Sequence, residues 1–358
     1  MAEDTKKNAL QIALDKNQED PYQIPDEDFF ATTLDDLDAF DEKAHNKGAG
    51  YIAPSFPLFS KYMEGLESGF FMFAGESNSG KSGVLLNLIY DFAMNADNKL
   101  FGIYFSLDDS AEEIYPRLIA MNQLIPIGVG SKPQRYQEII DDDPNTEEAM
   151  IARTFLNRRA AGLQELRDAR EHFKVVDSKK IKCGEQILNY CIKLQSWIKA
   201  KDPEANIIVG IDSLSDMRFS SQRFESDKMR NDYIARTVKE WAVTVLDCPI
   251  FGSLHLKKLG SNRRPVVDDV KESGEYIYEA SALFLVHNDV NKNKEGATIF
   301  DRVEGSEYKQ PVIELDWAKN KKSSYKGITY HHFTTDYSKV TECSEEQNER
   351  FRILAQSL

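Results

Sequence analysis

The sequence predicts an α/β fold: a mainly parallel twisted sheet flanked by helices, with a C-terminal antiparallel extension. Three observations carry that expectation. Short apolar runs alternate with segments of helical periodicity between residues 69 and 287. The first of these runs passes through a glycine-bounded loop directly into a helix-like stretch. Beyond residue 288 the segments shorten, and Val312–Trp317 and Ile328–Phe333 read as an antiparallel pair.

Taken in order, residues 1–32 are polar and acidic and read as a mobile arm. In Thr33–Asn46, Leu34, Leu37 and Phe40 recur at helical spacing, with Thr33 placed to cap the helix start. Asn46-Lys-Gly-Ala-Gly50 reads as a linker. Strands are expected at 69–73, 100–107, 173–176, 206–212, 249–255 and 282–287, and helices at 81–95, 110–123, 184–200 and 226–247. In the third helix Ile187, Leu188, Cys191, Leu194 and Ile198 form one apolar stripe. Residues 127–170, with mixed charge, fit the alternation poorly and suggest a helical insertion on the surface. Ser344-Glu-Glu-Gln347 opens a last helix as a capping box. The expected division is therefore an arm with a linker helix (1–48), a main domain (49–342) and a C-terminal helix (343–358).

The chain has 358 residues, 41% of them apolar, enough for one large core or two modest ones. No apolar stretch approaches the ~20 residues that span a bilayer, and no signal sequence opens the chain, so a cytoplasmic protein without membrane contact is expected. Cys183, Cys191, Cys248 and Cys343 lack zinc-site spacing and read as core or surface thiols. The net charge is −14, but residues 1–43 hold thirteen acids against four bases, which places −9 of it in the arm. The rest is nearly balanced and carries basic clusters at Lys257-Lys258, Arg263-Arg264 and Lys319–Lys326. Overall acidity thus leaves nucleic-acid binding open, provided it is confined to local basic segments.

The most informative motif is Gly75-Glu-Ser-Asn-Ser-Gly-Lys-Ser82, between the run Gly69–Phe73 and the helix-like Val84–Ile89. A strand, a glycine-bounded loop and a helix start are the setting of a phosphate-binding P-loop. Gly75 and Gly80 let the backbone curl, so that N–H groups across Ser77, Asn78 and Ser79 point at a β-phosphate. Lys81 would reach the β- and γ-phosphates, and the Ser82 hydroxyl would ligate Mg²⁺. The plain alternative is a tight turn with a solvated lysine. Asn206-Ile-Ile-Val-Gly-Ile-Asp212 is an apolar strand ending in an acid, the form of a Walker B carboxylate that holds Mg²⁺ beside the P-loop strand. Phe101–Ser110 is a strand ending in two acids, of which Asp108 is placed to orient an attacking water. Asp109 or Ser110 instead caps the next helix, Glu113 completing the box. The strand Pro249–His255 ends in a histidine able to sense a γ-phosphate.

The ordered set Gly75–Ser82, Ser106–Ser110, Ile208–Asp212, His255-Leu-Lys-Lys258 and Asp269-Val-Lys-Glu-Ser-Gly274 resembles the RecA-like motor domain of DnaB-type replicative helicases, over roughly residues 50–335. The last segment is similar to that family's Asp-Leu-Arg-Glu-Ser-Gly signature. The histidine at the sensor is closer to phage and mitochondrial relatives than to bacterial ones, which usually carry Gln. The resemblance implies a homo-hexameric ring with MgATP between subunits and single-stranded DNA in the channel, served by a primase or loader protein in trans. It makes Lys257, Lys258, Arg263, Arg264 and Lys271 DNA-phosphate contacts or supports for them, where the plain reading is a solvated basic loop. It casts Lys319 and Lys321 as cations acting on a neighbour's nucleotide, and helix 33–46 as a linker helix docking on the adjacent subunit.

Three departures accompany the resemblance. Asp108 stands where the family usually has glutamate, so its carboxylate reaches about 1.5 Å less far. Lys319-Asn-Lys321 stands where the family has Lys-x-Arg, which keeps the charge and loses the planar fork. Residues 1–48 are too short for the domain that usually precedes such motors. Two other readings stay open on the sequence: a recombinase- or loader-like ATPase, and a weakly hydrolysing ATP-binding assembly module.

Overall fold

The structure is a computed structural model that describes residues 29–46, 50–256, 259, 263–270, 274–288, 299–302 and 309–356. The chain divides into two units, Met1–Gly48 and Ala49–Leu358. In the first, α1 spans Phe29–Asn46 and exposes Leu34, Leu37 and Phe40. This helix begins four residues earlier than expected, so Thr33 is an interior residue and not a cap. Threonine's helix penalty is too small to stop a helix on its own. The expected mobile segment 1–32 lies outside the described residues up to residue 28 and is helical from Phe29.

The second unit is built on a ten-stranded sheet. Its parallel part consists of β1 (Gly69–Gly75), β2 (Leu100–Ser106), β3 (Phe173–Asp177), β4 (Asn206–Asp212), β5 (Pro249–His255) and β6 (Ala282–His287). These lie in the order β3-β2-β4-β5-β1-β6 and all pair in parallel. The antiparallel extension continues from β6 through β8 (Lys309–Asn320), β9 (Ile328–Thr334) and β10 (Lys339–Glu342), with β7 (Phe300–Arg302) also on β8. One expectation is corrected here: β4, which ends in Asp212, is not beside β1, because β5 lies between them. Alternation in sequence predicts parallel strands without fixing their lateral order.

All seven residues of β1 are buried, as a strand covered on both faces requires. Phe70, Met72 and Ala74 point into one core, which includes α8 (Gly184–Lys199) and α9 (Asp227–Glu240). Ile187, Cys191 and Ile198 of the expected α8 stripe are buried in it, with Leu188 and Leu194 partly buried beside them. Phe71 and Phe73 point into the other core, with α2 (Pro57–Tyr62), α3 (Lys81–Met94) and α4 (Ala111–Gln123). The single helix expected at 226–247 is α9 followed by a π-turn at Trp241–Val245. The wider turn is closed by the Leu246 N–H on the Trp241 carbonyl at 2.8 Å.

The segment 127–170 is helical, comprising α5 (Ile127–Ser131), α6 (Pro133–Asp142) and α7 (Glu147–Asp168). It packs through Val129 and Phe155 on Ile119 of α4. Helix α10 (Gly274–Glu279) precedes β6, and α11 (Glu345–Gln356) closes the chain with Phe351 buried against Tyr330 and Val312. The α11 capping box is formed: the Ser344 N–H donates to Gln347 Oε1, and the Gln347 N–H to Ser344 Oγ. The four cysteines are unbridged thiols.

Trp317 ties the extension to the main core. Its ring lies 4.8 Å from Phe284 and 5.3 Å from Phe59, and its Nε1–H donates to Thr329 Oγ1 at 3.1 Å. Trp317→Ala is expected to destabilise the domain by about 3–5 kcal/mol, the range for a large buried aromatic. Urea unfolding measures it, and an unchanged midpoint contradicts this account of the core.

Candidate nucleotide site

The carboxyl end of β1 runs into a loop whose backbone is set by two left-handed residues, Asn78 (φ 62°) and Gly80 (φ 95°), before α3 starts at Lys81. A Cβ at Gly75 would lie 2.6 Å from both Ser79 Oγ and the Val286 carbonyl, so only glycine lets the loop turn so tightly. Ser77, Asn78, Gly80, Lys81 and Ser82 line a cleft of about 590 Å³. Ser79 Oγ is buried against Gly75 and has no hydrogen-bond partner among the described residues. Lys81 is buried, and its Nζ donates to the Glu76 carbonyl at 2.6 Å. Burial pushes its pKa down to about 8, with Asp212 and Glu76 holding it up in part.

Asp212 is buried at the end of β4 with both carboxylate oxygens engaged. Tyr104 of β2 donates its hydroxyl to Oδ2 at 2.7 Å, and Ser253 of β5 donates to Oδ1. These two neighbours fix the acid in one orientation. Tyr104 and Ser253 escaped the sequence reading because both sit inside runs that look like plain strand. Ser82 and Lys81 line the cleft, and Lys81 feels the charge of Asp212; a hydroxyl, an ammonium and a fixed acid are groups that fit a Mg²⁺-nucleotide.

The two acids after β2 have different surroundings. Asp109 pairs with Arg117 Nη1 of α4 at 2.7 Å, and its carbonyl accepts from Ser106 Oγ at 2.6 Å. Glu113 accepts from the Ser110 N–H at 2.8 Å, the expected capping contact. Asp108 lines the cleft. Partial desolvation, then the carboxylates of Asp216 and Asp109, raise its pKa, with His255 opposing. His255 lines the same cleft from the end of β5, level with Gly75 in the sheet. Arg117, Phe333, Thr335 and Ser338 also line it and were not anticipated. Their sequence neighbourhoods carry no phosphate-site pattern.

The remaining predicted residues lie elsewhere. Lys319 Nζ donates to the carbonyls of Ile277 and Tyr278, and Lys321 Nζ to that of Tyr278 at 3.2 Å, so both lysines cover the C-terminal turn of α10. Burial, then Lys321 nearby, lowers the Lys319 pKa to about 8. Arg263 forms a two-pronged pair with Asp269, both bonds 2.6 Å. Arg264 does the same with the buried Glu314 of β8, at 2.5 and 2.9 Å. Lys257, Lys258 and Lys271 lie outside the described residues.

The depressed Lys81 pKa has a measurable consequence. Phosphate binds the ammonium form, and in the free protein that form is lost as pH rises through about 8, well below the ordinary value of 10.5. Binding above that pH must therefore take up a proton, and ADP affinity should fall by up to about tenfold per pH unit while staying level below about pH 7. Titrations at constant ionic strength check this, and equal affinity at about pH 7 and pH 10 contradicts it.

A family model described as the DnaB-like helicase C terminal domain matches residues 52–342. No curated protein matches the sequence. Among solved structures, one described as an ATPase domain is similar with a TM-score of 0.65 at 20% identity, over 87% of this chain and 98% of that one. A structure of a DnaB-like replicative helicase and its interactions with primase gives 0.64 at 19%, over 86% of this chain and 66% of that one. The RecA-like sheet agrees with both. With most of its length matched, the chain belongs to the DnaB-like helicase C-terminal domain family.

Proposed function

We propose that the chain is a cytoplasmic ATP-dependent DNA helicase, hydrolysing MgATP at the subunit interfaces of a homo-hexameric ring that moves on single-stranded DNA. The observation that carries this reading is the separation of two groups of polar side chains on one sheet. Lys81, Asp108 and His255 lie at the carboxyl edge of the parallel strands. The Lys321 N–H donates to the Ser281 carbonyl and the Ser281 N–H to that of Phe70, so Lys321 is level with the start of β1. Gly75 lies five steps along β1 from Phe70, about 16 Å of strand. Lys319 and Lys321 therefore cannot serve their own cleft. A head-to-tail neighbour would set these lysines against the next cleft, and such heterologous contacts close into rings.

In this reading the loop N–H groups, Ser79 and Lys81 bind the β- and γ-phosphates, while the Phe333 ring offers a face to the base. Ser82 and Asp212 would hold Mg²⁺, which when bound neutralises charge on the phosphates. Asp108 orients the attacking water, its raised pKa suiting it to accept a proton. His255 reports whether the γ-phosphate is present. Lys319 and Lys321 stabilise the charge that develops on a neighbour's transferring phosphoryl group. DNA phosphates would meet the basic segment after β5, with Arg263 and Arg264 bracing it through Asp269 and Glu314. A primase or loader is the partner proposed in trans, as the similar DnaB-like helicase is described with primase.

Asp108→Asn should keep ATP affinity and lower turnover by roughly 10²–10⁴-fold, the range for a lost general base. Asp109→Asn should cost far less, because it removes only the pair with Arg117. If Asp109→Asn carries the larger loss, the assignment of the base is wrong. Lys321→Ala chains mixed into wild type should depress ATP turnover by more than their own fraction, since each would leave a neighbour's site without one of its two cations. Strict proportionality to the wild-type fraction contradicts action across an interface.

A further inference from the structure

Glu76, the second residue of the phosphate-binding loop, is unexplained by nucleotide binding. That position needs no particular side chain, and a carboxylate beside a polyphosphate is electrostatically unfavourable. In the structure it turns away from the cradle: Oε1 accepts the Leu259 N–H at 2.7 Å. In sequence, Leu259 stands between Lys257-Lys258 and Arg263-Arg264, the basic residues assigned above to DNA. A second bond runs alongside, the Leu256 N–H donating to the Gly75 carbonyl at 2.9 Å. Two consecutive loop residues thus hold the chain leaving β5. From the other side, Glu76 offers its carbonyl to Lys81 Nζ at 2.6 Å. Its carboxylate also acts electrostatically on both Lys81 and Arg263.

We infer that Glu76 is a positioning residue that couples the nucleotide cleft to the basic segment after β5, so that phosphate occupancy and DNA contact are felt by one another. The inference rests on the reading that single-stranded DNA meets that segment. His255, at the end of β5, is one link between the cleft and the segment that follows it, and Glu76 supplies a second. Arg264 is fixed to Glu314 on β8 and Arg263 to Asp269, which hold its far end. Its near end is held by the loop whose backbone receives Lys81. A movement of Glu76 by an ångström when Lys81 turns to a phosphate would pass directly to the Leu259 amide, because the contact is a short bond with a charged acceptor.

The test compares wild type, Glu76→Ala and Glu76→Gln as full chains. It measures the ratio of ATP turnover with and without an oligo(dT) strand, and the affinity for a fluorescent ATP analogue without DNA. Glu76→Ala should lower the stimulation ratio by roughly tenfold, the factor that accompanies loss of one charge-assisted hydrogen bond. Glu76→Gln keeps an acceptor oxygen for Leu259 and should restore most of the ratio. Nucleotide affinity should change much less than the ratio. A Glu76→Ala ratio equal to wild type overturns the inference, as does a loss of nucleotide affinity large enough to account for the effect. If wild type itself does not respond to oligo(dT), the DNA reading fails, and the inference falls with it.

Discussion

The side chains proposed for the chemistry of the cleft hang from, or just beyond, the carboxyl ends of strands, and the parallel pairing of six strands gathers those ends at one edge. Gly75, Ser106, Asp212 and His255 end β1, β2, β4 and β5, and backbone register fixes them as neighbours. The sheet can do this because both its faces are buried. Phe70 and Met72 on one side of β1 and Phe71 and Phe73 on the other each enter a separate core. The apolar packing thus pins the strands in register, and the polar chemistry is left to the turns.

The same sheet explains how charge is managed in a buried place. Asp212 would be costly at the end of a central strand without donors, and Tyr104 and Ser253 supply one to each oxygen. Lys81 is held at a cost that shows as its lowered pKa, and its ammonium rests on a carbonyl. A cation kept short of partners gains the most when phosphate arrives. Arg263 and Arg264 are treated differently, each locked to a carboxylate inside the chain. These pairs tie residues 263 and 264 to the rest of the chain.

Much of this was legible in the sequence. The P-loop, the acids after β2 and β4, and the histidine after β5 are local patterns, in which residue type, spacing and the adjoining apolar run all agree. Less legible was whatever depends on lateral neighbours. The placement of β5 between β1 and β4, the hydroxyl partners of Asp212, and the pairs Arg264–Glu314 and Glu76–Leu259 join residues between 41 and 183 positions apart. No periodicity records such pairings. The start of α1 at Phe29 was missed for a smaller reason, since a threonine resembles a cap wherever it falls.

The central claim is that one chain holds the phosphate cradle while its neighbour supplies the cations that complete the site. Its most direct test is ATP turnover per chain, measured over a dilution series with single-stranded DNA while sedimentation reports the assembly present. The account predicts that turnover per chain collapses as the ring dissociates and that isolated chains still bind nucleotide. Constant turnover per chain down to concentrations at which only monomers remain would contradict it.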